Sequence, residues 1–193
     1  MIDEDAFGLL FSYCEVEDDE YGSDERAVFV RRFQGFERHV LDIVSGMRLP
    51  SDHHIVCLGH AVYVEFRDDE ALPELLGQFR AASARLLQAG FANVTVLSHG
   101  SRWVNEGEAP LLSISEAAPR VAVVSRPSEP LRRVLDAATL ARRDEDVDGW
   151  GPGTYVDTEA LDALGKRPKN APTVLRACGA QFFRIPPLPL EAR

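Results

Sequence analysis

Residues 68–90 carry the most complete helix signal in the chain, and they constrain the fold because short apolar runs flank them on both sides. Asp68 or Asp69 is a candidate N-cap, Pro73 falls in the first turn, and Gly90 is placed to end the helix in a left-handed conformation. The side chains that recur along one side are Leu72, Leu75, Leu76, Phe79, Leu86 and Leu87. We expect an amphipathic helix that connects two strands.

Other segments alternate between the periods of strands and helices. Residues 7–14 are typical of a buried strand, and the helix after it begins at Ser23 and carries Phe29, Phe33, Phe36, Val40 and Ile43 on one face. Further elements are a helix from Pro130 to Arg142 or Arg143, a short helix from Asp157 and a last strand at 180–185. This order predicts a single α+β domain, with a mainly antiparallel or mixed sheet and two or more amphipathic helices packed on one face.

Residues 53–66, HHIVCLGHAVYVEF, allow two interpretations. A turn at Gly59-His60 makes a hairpin that pairs Cys57 with Val62 and sets His54 opposite Glu65. One long strand is the alternative, and periodicity does not choose between the two. We also expect a second hairpin with its turn at His99-Gly100.

Domain limits follow from composition. We place the domain at residues 1–185, with an exposed acidic loop at 15–25 and a connector rich in Gly, Pro and Asp at 144–156. Residues 186–193 form a proline-rich tail that suits neither regular structure.

The composition indicates a globular protein of the cytoplasm. Hydrophobic residues make up 45% of the 193 residues, which is enough for a sizeable core. The N-terminus is acidic where a signal peptide needs basic residues, and no apolar run is long enough to span a membrane. The three cysteines, Cys14, Cys57 and Cys178, are widely spaced, which favours thiols in a reducing compartment over disulfides.

Negative charge is concentrated near the N-terminus. Residues 1–25 hold ten of the chain's 31 acidic residues and none of its 21 Lys and Arg residues, so the rest of the chain is neutral. Such a segment repels nucleic acid and anionic membranes. We expect Glu17, Asp18, Asp19 and Glu20 to bind a basic partner protein.

The segment DEDVDG, residues 144–149, resembles the first half of an EF-hand calcium loop. Asp144, Asp146 and Asp148 alternate as calcium ligands do, and Gly149 permits a sharp turn. The twelfth loop position, where an EF-hand needs a bidentate Glu, is Tyr155. A calcium site would therefore need Asp157 or Glu159 to fold back, and the alternative is a polar connector without a cofactor.

Candidate catalytic residues are scattered. His53, Cys57 and His60 do not fit a zinc site, because on a strand His53 and Cys57 lie about 13 Å apart. Phosphate-binding loops, nucleophile elbows and H-E-x-x-H pairs are missing from the sequence. If the chain is an enzyme, its site must be assembled in space, and the candidates are His54, Glu65, His99 and Arg102.

These observations predict a non-enzymatic protein-binding module of the inhibitor, immunity or adaptor type. It would present the acidic segment to a basic partner. The alternatives are a small enzyme built on the scattered His, Glu and Arg residues, and a calcium-binding module at Asp144–Gly149.

Overall fold

A computed structural model describes residues 2–14, 23–58, 60–68, 74–104, 128–143, 151–166 and 174–186. It confirms the predicted single-domain α+β fold, with four helices and a seven-stranded mixed sheet in the described part. The elements are β1 (Ile2–Tyr13), α1 (Ser23–Ser45), β2 (His54–Leu58), β3 (Ala61–Arg67), α2 (Leu75–Gln88), β4 (Asn93–Val104), α3 (Glu129–Arg143), β5 (Gly153–Asp157), α4 (Thr158–Ala163), β6 (Val174–Ala177) and β7 (Ala180–Ile185).

The sheet has the order β2-β3-β1-β4-β5-β7-β6. β1 lies inside the sheet and pairs antiparallel with β3 on one side and β4 on the other. The pair β4–β5 is parallel, whereas β5–β7 and β6–β7 are antiparallel. The first strand of the chain thus joins segments that are far apart in sequence.

The sheet buries both of its faces. On face A, α1 and α2 pack over Phe7, Leu9 and Phe11 of β1, and α4 adds Ala160 and Leu161 to the same core. On face B, α3 packs through Val134, Ala137, Ala138 and Ala141 over Leu10, Val94, Val96, Tyr155 and Phe182. Two helices therefore share one face as predicted, and α3 covers the other.

The expected helix at 68–90 exists but is shorter. It begins at Leu75, after Glu74, whose side chain makes no cap hydrogen bond, and Asp68 is used elsewhere. Gly90 ends it with φ +86, and its N–H bonds the Leu87 carbonyl, as the left-handed ending predicts. Leu87, assigned to the apolar side, is 46% exposed.

Strands β2 and β3 form the hairpin and not one long strand. β2 and β3 pair antiparallel, with Cys57 opposite Val62 and His54 opposite Glu65, as the Gly59-His60 turn predicts. Side chains at opposed positions of an antiparallel pair lie on the same face. His54 and Glu65 are therefore neighbours on face B.

The predicted hairpin at His99-Gly100 is wrong. β4 continues through both residues as one strand of 12 residues, paired with β1 along its length. Gly100 serves close packing instead of a turn, because a Cβ there would lie 2.9 Å from Oε2 of Glu129 on α3. A glycine within a strand can mark the close approach of a helix, and in the sequence such a glycine looks the same as one in a turn.

None of the described helices is long and apolar enough to cross a membrane.

Candidate functional site

A cluster of charged side chains lies on face B, where β1, β3 and β4 run side by side. The register places Glu4 opposite Arg102 and Gly8 opposite Glu65, so alternation along each strand brings Glu4, Glu65 and Arg102 to this face. Arg102 bonds Oε2 of Glu4 through Nε at 3.3 Å and Nη2 at 3.2 Å. Its Nη1 lies 3.8 Å from Oε1 of Glu65.

Arg102 is the most deeply buried charge of the cluster, with 5% of its surface exposed. Within the described residues, its buried Nη1 has no hydrogen-bond partner. The 3.8 Å separation from Glu65 allows attraction but is longer than a hydrogen bond. A buried N–H group without a partner loses free energy unless a ligand or water completes it.

Among the described residues, the hydrogen bonds to the Glu65 carboxylate all reach one of its two oxygens. Its Oε2 accepts hydrogen bonds from the Tyr63 hydroxyl and the Ser128 hydroxyl, each at 2.5 Å. Burial, followed by the neighbouring Glu65 charge, raises the pKa of Tyr63 well above its usual value, so its hydroxyl stays a donor. Ser128 also caps α3, because its Oγ accepts the Leu131 N–H at 3.3 Å. Oε1 of Glu65 is left facing Arg102.

His54 lies beside this pair on the neighbouring strand and is half-buried. Burial, and then the positive charge of Arg102, lower the pKa of His54 below its ordinary value of 6.5. The imidazole is therefore neutral at neutral pH and able to accept a proton.

A second polar cluster completes the edge of β4. β5 pairs with β4 only as far as Leu97 and ends at Asp157, so among the described strands none pairs with β4 beyond that point on this side. Asp157 accepts the His99 N–H at 3.3 Å, Arg133 donates to the His99 carbonyl at 2.8 Å, and Glu129 accepts the Ser101 N–H at 3.2 Å. These side chains make the backbone hydrogen bonds that a neighbouring strand would otherwise make, so we assign this cluster a structural role.

Asp157 is fully buried and also caps α4 through the Ala160 N–H at 2.7 Å. It accepts a further hydrogen bond from the Ser98 hydroxyl. Burial raises the pKa of Asp157 to about 6, while the hydrogen bonds from Ser98 and Ala160 oppose the rise.

The structure brings together three of the four predicted catalytic residues: His54, Glu65 and Arg102. The side chain of His99 lies on face A, where its ring packs at a tilt against Phe7 with centroids 4.7 Å apart and Nε2 bonds Asp68 at 2.8 Å. It does not join the cluster. A separate cleft of about 280 Å³ between the end of α1 and α2, lined by Arg48, Gln78 and Arg85 among others, contains none of the four.

Sequence analysis missed Glu4, Tyr63 and Ser128 as members of the cluster. Glu4 was counted with the acidic N-terminal segment, but it lies in β1 and pairs with Arg102. Two signals in the sequence could have found the other two. Tyr63 and Glu65 have the i, i+2 spacing that places side chains on one face of a strand, and Ser128 stands just before Pro130 at the start of a helix.

The predicted partner-binding residues Glu17, Asp18, Asp19 and Glu20 and the calcium candidates Asp144, Asp146 and Asp148 lie outside the described residues. Both sites stay predictions. Asp157 is already engaged with Ser98 and α4, and Glu159 lies 3.8 Å from Arg133, so neither is placed as an uncommitted calcium ligand. Across the described ranges, no three His, Cys, Asp or Glu side chains are grouped so as to hold a metal ion.

No protein-family model matches the chain, and no curated protein matches it. Solved structures, in contrast, match the chain in fold. A bacterial light-regulated adenylyl cyclase superposes with a TM-score of 0.58 at 9% identity, covering 96% of this chain and 91% of the other. The adenylyl cyclase CyaB from P. aeruginosa gives a TM-score of 0.46 at 8% identity, covering 95% and 94%.

The first of these comparisons contradicts the interpretation of the chain as an inhibitor, immunity or adaptor-type binding module, because the structure whose fold it shares is an enzyme. The small-enzyme alternative fits that comparison better. At 9% identity the likeness concerns the fold alone. The chain is similar in fold to a bacterial adenylyl cyclase.

Proposed function

We propose that this chain is a small enzyme acting on a nucleotide, with Glu65 and Arg102 at the centre of its site and His54 beside them. The observation that carries the proposal is the buried Arg102 guanidinium, whose Nη1 faces a carboxylate oxygen without a hydrogen bond. Removing a charge from water costs several kcal/mol, and sites that retain such groups in shifted environments are often functional.

The nucleotide class is supported by the fold, since the similar solved structure is named an adenylyl cyclase. Fold likeness alone does not give an activity, so the substrate rests on the experiment below. We also propose a cytoplasmic location, which is supported by three widely spaced cysteines, a pattern that favours thiols over disulfides.

The geometry suggests a role for each group. Glu65 takes a proton from a substrate hydroxyl through Oε1, because Oε2 is occupied by Tyr63 and Ser128. Arg102 stabilises negative charge that develops on phosphate oxygens, since a guanidinium stays charged at all working pH values. His54, neutral at pH 7, is a second proton acceptor on the adjoining strand.

The test is turnover of ATP and GTP by the purified chain, with Mg²⁺ in the buffer and products separated by chromatography. We expect Glu65→Gln to lower kcat by about 100-fold or more, as loss of a general base does. Glu74→Gln is the matched control, because Glu74 is an exposed acid far from the cluster, with 66% of its side chain accessible. Turnover that Glu65→Gln leaves intact, or no turnover of either nucleotide, would contradict the proposal.

A further inference from the structure

The first turns of α1 expose apolar residues on several sides. Residues 27–30 read AVFV, and Val28 and Val30 are 47% and 44% exposed. Phe29 reaches only the rim of the core, with its ring centroid 6.3 Å from that of Tyr13, and the first fully buried residue of the helix is Phe36. An apolar run of this kind on a helix surface is normally covered.

Four exposed residues of this segment share one helix face. Asp24, Ala27, Val28 and Arg31 follow the spacing i, i+3, i+4, i+7, and we call them the α1 stripe. The core-facing residues are Phe29, Phe33, Phe36 and Val40. At 100° per residue the mean directions of the two rows lie about 160° apart around the helix axis. The stripe therefore faces away from the protein's own core.

The α1 stripe is complementary to itself. Two antiparallel copies related by a two-fold axis between positions 27 and 28 place Asp24 of each opposite Arg31 of the other. The same axis places Ala27 of each opposite Val28 of the other. Two ion pairs then flank four apolar side chains, and the small Ala27 allows the helix axes to approach closely.

We propose that the α1 stripe binds the α1 stripe of a second copy of this chain, giving an isologous dimer. Burial of the exposed valine drives the association, and the paired charges set the antiparallel register. This inference does not depend on the proposed nucleotide activity.

The experiment is sedimentation equilibrium of the full chain over a range of concentrations, with folding checked by circular dichroism. We expect a monomer–dimer equilibrium whose dissociation constant rises at least tenfold in Val28→Ser. Val30→Ser is the matched control, because Val30 has similar exposure on the same helix but lies off the stripe. It should change the dissociation constant less than threefold.

Charge reversal tests the register. Asp24→Arg and Arg31→Asp each set like charges opposite one another and should each weaken the dimer at least tenfold at low salt. The double variant restores opposite charges and should recover most of the affinity. A chain that stays monomeric at about 100 µM, a dimer insensitive to Val28→Ser, equal effects of Val28→Ser and Val30→Ser, or a double variant no better than the single ones would overturn the inference.

Discussion

Two carboxylates, the half-buried Glu65 and the buried Asp157, differ in what surrounds them. Asp157 has no exposed surface, and its oxygens accept hydrogen bonds from Ser98, His99 and Ala160. Glu65 keeps Oε1 facing a guanidinium that it does not bond. Because Ser98, His99 and Ala160 engage the oxygens of Asp157, we assign Asp157 a structural role. Because Oε1 of Glu65 accepts no hydrogen bond from a described residue, we propose that Glu65 takes part in the chemistry.

The raised pKa of Asp157 predicts a pH-dependent contribution to stability. Because its pKa of about 6 in the folded protein exceeds the ordinary value of 3.8, the folded state binds this proton more tightly than the unfolded state. Ionisation therefore opposes folding as pH rises from about 4 to about 6, by on the order of 3 kcal/mol. Asn at this position keeps an oxygen for the Ala160 N–H but does not titrate.

Urea unfolding of the wild type and Asp157→Asn across this pH range measures the effect. The free energy of unfolding of the wild type minus that of the variant should fall between pH 4 and pH 7 and then stay level. A difference that does not vary with pH would show that Asp157 does not titrate in this range.

At the scale of elements, Gly8 lets β1, β3 and α3 pack closely together next to the Glu65–Arg102 cluster. A Cβ at Gly8 would lie 2.6 Å from the Tyr63 hydroxyl and 2.8 Å from Cβ of Pro130. Because Gly8 has no side chain, there is room for the Tyr63 hydroxyl that donates to Glu65 and for the start of α3 to pack against β1.

We expect Gly8→Ala to destabilise the protein by about 1–3 kcal/mol, because Tyr63 and α3 must move to accommodate the methyl group. Gly77→Ala is the control, since Gly77 lies within α2 and a methyl group there would meet no described atom within 4 Å. That change should stabilise by up to about 1 kcal/mol through helix propensity. Equal effects of the two substitutions in urea unfolding would contradict the close contact at Gly8.

Sequence patterns predicted the elements better than their ends and contacts. The β2–β3 hairpin was one of two interpretations that the sequence left open, and its turn gives the register that places His54 opposite Glu65. Two errors came from long-range packing: Gly100 is small because Glu129 approaches it, and the α2 N-terminus does not use Asp68 because that residue bonds His99. Neither contact can be recognised from the residues that are adjacent in sequence.

At the scale of the whole molecule, the site exists only because the sheet brings distant strands together. Glu4 and Arg102 are 98 positions apart in sequence, and Glu65 joins them only because β1 lies between β3 and β4. Sequence analysis could name Glu65 and Arg102 as candidates but could not pair them. The likeness in fold to a bacterial adenylyl cyclase comes with only 9% identity, so it was not recognisable from the sequence.

The most direct test of the central claim is the rise in melting temperature on adding ATP or GTP to the wild type and to Arg102→Lys. A nucleotide held by the buried guanidinium at about 100 times its Kd should raise the melting temperature of the wild type by about 5–10 °C. Lysine keeps the positive charge but lacks the Nη1 group, so we predict a rise less than half as large in the variant. Equal rises in both proteins, or none in the wild type, would contradict a nucleotide site at Arg102.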